Sequence, residues 1–184
     1  MAGWNLKAGA ITEYVVSEDK IWSLFNFVFS DACKKRNTYK FGLIKSLLDS
    51  AFSGEMAEQG VRYSYEELFG RFAYNYWNLV VKYDLRQMRK DGKSEFSKIE
   101  LIFKDVIKEN NIFINLEFES LSADIKNKII KQVTAECKRF VIGALYDDFD
   151  GIIYSFNLKE DGIVLNSSVY NFMLKYKSEL EKLN

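Results

Sequence analysis

The chain has 184 residues, 48% hydrophobic and 28% charged, which suits one ordered domain with its own core rather than a disordered segment. Its 26 basic and 26 acidic residues cancel, so attraction for a polyanion has to come from local clustering. Histidine is absent and there are two cysteines, Cys33 and Cys137, which removes histidine triads, histidine general bases and ordinary zinc sites.

Those cysteines lie too far apart for a metal motif and do not form a secreted disulfide framework, so reduced thiols are expected. No apolar run is long enough to span a membrane and no signal peptide precedes the domain, so the expected location is cytoplasmic.

Proline is absent, so helix limits are read from caps and glycines. Ser17 precedes Glu18 and Asp19, and Ile21, Trp22, Phe25, Val28 and Phe29 follow at helical spacing, predicting a helix over 18–30. Asn37 or Thr38 can cap the next helix, whose apolar stripe is Phe41, Ile44, Leu47, Leu48 and Ala51. Residues 54–62 read as a loop. Ser64 and Glu67 have capping-box spacing ahead of Leu68, Phe69, Phe72, Tyr76, Trp77 and Val80. Residues 83–93 are polar and basic, and a helix resumes near Ser94 or Ser97.

Residues 122–142 predict another helix through Ile125, Ile129, Val133, Cys137 and Val141. Aromatic and β-branched residues around Asp150-Gly151 predict a hairpin or small sheet. A last helix runs from about Ser168 to Leu183. The expected fold is therefore mainly α: a single multi-helix domain over 1–184 with a small antiparallel β hairpin or sheet near residues 144–165.

Two basic stretches are candidate contacts for an anion. The first holds Lys34, Lys35, Arg36 and Lys40 around a helix start, with Thr38 as a hydroxyl donor. The second holds Lys82, Arg86, Arg89, Lys90 and Lys93. Cations sit badly at a helix N-terminus, and a bound phosphate would offset that repulsion. The plainer reading is a solvated polar face. Asp147, Asp148 and Asp150 lack the pattern of a calcium loop and read as a solvated turn. No catalytic residue, metal ligand or cofactor is assigned within this chain.

Five segments, "NLKAGAITEYVV", "KRNTYKFGLIKSLLDSAF", "SYEELFGRFAYNYWNLVVKYDLRQ", "KRFVIGALYDDFDGIIYSFN" and "LNSSVYNFMLKYKSELEKLN", occur in an order that resembles the N-terminal region of bacterial HNH-endonuclease-domain proteins. The resemblance implies restriction or phage defence, with a nuclease module, its histidines and its divalent metal lying beyond this chain. It implies a non-catalytic domain that engages double-stranded DNA, or holds its own C-terminal nuclease module or another subunit. The expected nucleic-acid contacts are Lys34, Lys35, Arg36, Thr38, Lys40, Arg86, Arg89 and Lys90. The alternative is a helical protein-interaction or scaffolding domain with no nucleic-acid role.

Overall fold

Serines at helix starts organise much of the chain, because each supplies an oxygen to a backbone N–H that has no partner inside its helix. The structure is a computed structural model describing residues 5–34, 37–88, 95–113 and 115–183. Ser17 accepts the Lys20 N–H (3.3 Å) to open α1 (Glu18–Phe29). After α2 (Tyr39–Asp49), Ser64 accepts the Glu67 N–H (3.1 Å) to open α3 (Tyr65–Trp77). Ser97 opens α4 (Lys98–Glu109) and Ser122 opens α5 (Ala123–Phe140). Helices α6 (Ile142–Asp148), α7 (Ser167–Lys175) and α8 (Lys177–Leu183) complete the helical set among the described residues.

The strands are β1 (Ala8–Gly9), β2 (Glu55–Ala57), β3 (Gly60–Ser64), β4 (Tyr154–Asn157) and β5 (Gly162–Asn166). They form one antiparallel sheet in the order β1-β4-β5-β3-β2. Register places Val61 opposite Leu165 and Tyr63 opposite Ile163, all buried beneath α3 and α7. Gly60 permits the β3–β5 approach, since a Cβ there would lie 1.8 Å from the Leu165 carbonyl oxygen. The fold is therefore mainly α with a small antiparallel sheet, as the periodicity predicts.

Helix α3 is the central element. It packs on α2, α5 and the sheet, and buries Phe69, Phe72, Tyr76 and Trp77. Each aromatic ring taken out of water contributes about 1.5–3 kcal/mol. The Trp77 indole N–H donates to the Leu116 carbonyl (2.8 Å), so its one polar group is satisfied inside the core. Helix α2 comes close because Gly42 presents no side chain; a Cβ there would meet the Tyr76 ring at 2.3 Å and the Phe72 ring at 2.6 Å.

Five expectations need correction. Residues 54–62 form the β2–β3 hairpin rather than a loop, with paired backbone supplying what the polar side chains did not advertise. Residues 142–148 are helical because Ile142 and Leu145 extend the helical burial begun by Val133 and Cys137. The chain turns at Asp150 (φ 53°) and Gly151 (φ 71°), and the hairpin lies further on, as β4 and β5. The Ser64 cap is not reciprocated, because the Glu67 carboxylate instead accepts the Ser53 hydroxyl; the complete capping box is Ser97 with Glu100. The last helix is divided at Tyr176 into α7 and α8.

Candidate nucleic-acid interface

The first basic stretch meets the second at a backbone bridge. Asn37 and Met88 form an isolated antiparallel pair, and the Thr38 N–H donates to the Gln87 carbonyl (3.1 Å). The chain neighbours of the bridged residues on the basic sides are Arg36 and Arg89. Two stretches separated in sequence by all of α2, the β2–β3 hairpin and α3 are thus tied at one place. The contacts assigned to Lys35, Arg36, Arg89 and Lys90 lie outside the described residues.

The Thr38 hydroxyl takes part in this junction. It donates to Gln87 Oε1 (2.7 Å), so the Tyr76 hydroxyl, 2.7 Å away, must donate to Thr38. Gln87 Nε2 in turn donates to the Leu85 carbonyl (2.7 Å). Burial pushes the Tyr76 hydroxyl well above its ordinary pKa and keeps it a donor. Asn37 does the local capping, accepting the Tyr39 N–H at 3.2 Å. The Tyr39 hydroxyl accepts the Ile99 N–H (2.9 Å), which anchors the start of α2 to the first turn of α4.

Lys40 also points inward. Its ammonium pairs with Asp148 on α6, donates to the Lys34 carbonyl (3.2 Å) and touches Cys33 Sγ (3.7 Å), with its side chain only 16% exposed. Asp148 also accepts from the Cys33 thiol (3.6 Å). The group is a staple that fixes the backbone beneath Lys34, whose own side chain faces solvent. Arg86 lies 4.0 Å over the Phe96 ring, with Nη1 3.0 Å from the Glu95 carbonyl and Nη2 3.2 Å from its carboxylate. Its side chain remains 41% exposed, so the guanidinium is oriented yet reachable.

Below the bridge, α2, the end of α3, a π-helical turn (Asn78–Lys82) and residues 85–87 enclose a groove of about 590 Å³. Phe41, Leu79 and Leu85 line its apolar walls, with Asn75, Asn78 and Lys45 among its polar ones. Comparison with protein-family profiles, curated proteins and solved structures gives no match to this chain. The geometry must therefore carry the functional argument.

Among the described residues no group of three or more cysteines and carboxylates is arranged to hold a metal, and no helix is long and apolar enough to cross a membrane. Sequence reasoning missed Gln87, and it read Asp148 as part of a solvated turn, whereas Asp148 lies on α6, only 18% exposed at its side chain and paired with Lys40. Gln87 sits within a polar run and acquires its role only through a partner 49 positions away.

Proposed function

We propose that the chain is a non-catalytic domain that engages nucleic acid through the basic segments joined at the Asn37–Met88 bridge. Such a domain would position DNA for an HNH-type nuclease module in a restriction or phage-defence protein. The observation that supports this reading most is the bridge itself, which ties the backbones beside the two charge runs together at Asn37 and Met88. Lys34 is exposed and Arg86 is held in place by Phe96 and Glu95, so neither has to surrender a buried partner to meet a phosphate. Backbone contacts of this type position a duplex without reading its sequence. No step of catalysis is assigned to this chain.

Fluorescence anisotropy with a labelled duplex at low salt tests the proposal. The expected dissociation constant is on the order of 10⁻⁴ to 10⁻⁶ M, the range of non-specific binding. Reversing charge at Lys34, Arg36 and Arg89 together should weaken binding while thermal unfolding stays unchanged. A competing reading as a protein-interaction domain draws on edge strand β2, where Met56 is 81% exposed and the nearby Phe52 is 77% exposed. Absence of duplex binding at low salt would hand priority to that reading.

A further inference from the structure

We propose that edge strand β2 pairs with β2 of a second copy of this chain, so that two subunits share one continuous antiparallel sheet about a twofold axis. This does not rest on the nucleic-acid reading, since β2 belongs to neither basic segment. Among the described residues no strand flanks the outer side of β2. The ladder determines which backbone groups point there. The Tyr65 N–H donates to the Asp161 carbonyl (2.9 Å), one step beyond the registered pairs of β3 and β5. Hydrogen-bonded pairs alternate along an antiparallel ladder, so Tyr63 and Val61 turn their backbone groups to β5, and Arg62 and Gly60 turn theirs to β2. Their partners there are Glu55 and Ala57. Met56, between those two, therefore directs both its N–H and its C=O to the free edge.

A residue that offers one donor and one acceptor outward is complementary to itself. Set opposite each other on a twofold axis, two Met56 residues exchange both bonds and the whole of β2 is paired. Glu55 then faces Ala57 of the second copy, so no like charges are opposed. Side chains add to the match. Met56 lies opposite the buried Val61, on the helix-covered face, yet is 81% exposed at the open edge. On the axis its side chain is covered by its own counterpart. The same register brings Glu58 of the second copy beside Gly54 and toward Phe52, which is 77% exposed and has the Lys177 ammonium 5.1 Å from its ring centroid. Glu58 and Lys177 take part in no ion pair among the described residues, and the twofold axis creates that pairing twice. Because β2 has three residues, the contact is small and the association is expected in the micromolar range.

Sedimentation equilibrium of the full chain over a concentration series, without nucleic acid, tests the pairing. The apparent mass should rise from 21.5 kDa toward twice that value. Met56→Lys places two cations together on the axis and should raise the dissociation constant at least about tenfold while thermal unfolding stays unchanged. Glu58→Lys should weaken association as well, and adding Lys177→Glu should restore it, a rescue that a folding defect does not imitate. Met56→Cys gives a reading independent of affinity: mild oxidation should join two chains at position 56, because Cα atoms of a hydrogen-bonded antiparallel pair lie about 5.5 Å apart, within disulfide reach. A chain that stays monomeric throughout the series overturns the proposal and leaves the edge to a different partner. A dimer that Met56→Lys leaves intact, or that does not cross-link at position 56, has its contact elsewhere and overturns it too.

Discussion

Thr38 has one hydroxyl proton, and two neighbouring oxygens set its use. Because Gln87 Oε1 takes that proton, Thr38→Val would leave the buried Gln87 acceptor and the Tyr76 donor without partners. We expect a loss of about 1–3 kcal/mol in urea unfolding, largely restored by Thr38→Ser. An unchanged midpoint for the valine variant would contradict the assigned network. Lys40→Met would strand Asp148, which is only 18% exposed at its side chain, and should lower stability by about 1–3 kcal/mol, read by thermal melting. Lys40 is consequently a poor position for testing DNA contact by charge reversal. The Ser17 and Ser97 caps were legible in the sequence because their partners lie three residues away. Thr38 and Lys40 were not, because Gln87 and Asp148 reach them through tertiary structure.

At the scale of elements, the interface depends on how closely α2 approaches α3. Gly42→Ala would drive a methyl group into the Tyr76 and Phe72 rings and should destabilise the domain by about 1–3 kcal/mol, with a lower urea midpoint. If the alanine variant is as stable as wild type, the helices do not meet as described. Periodicity made α1, α3, α4 and α5 readable, since each carries a buried stripe broad enough to be seen without knowing its partner. Hairpin β2–β3 escaped notice because Glu55, Met56 and Arg62 face solvent, and only its register with β5 buries Val61 and Tyr63. Residues 144–148 fell inside the span expected for the sheet, whereas the burial of Leu145 places them on helix α6.

For the molecule as a whole, the aromatic core links stability to pH. Burial is the leading cause that raises the hydroxyls of Tyr39, Tyr76 and Tyr154 above the ordinary value of 10.0. The unfolded chain releases these protons near pH 10.0, whereas the folded chain retains them, so folding binds more protons there. Their contribution is complete below that pH and is lost as pH rises above it. Urea midpoints should therefore fall steeply above about pH 10, with tyrosine absorbance rising together with unfolding. Ionisation of all 11 tyrosines while the domain stays folded would contradict the buried assignments.

The basic segments were visible as composition, but their meeting was not, because the Asn37–Met88 bridge joins positions on either side of α2, β2, β3, α3 and the π-helical turn. That junction is the centre of the functional proposal, and the salt dependence of duplex binding tests it most directly. If the joined segments contact several phosphates, a plot of log affinity against log salt should be linear with a slope of roughly −3 or steeper. Reversing charge at Lys34, Arg36 and Arg89 should make that slope distinctly shallower in a protein that melts as wild type does. A slope near zero, or one that the triple variant leaves unchanged, would show that the bridge does not organise a phosphate-binding surface.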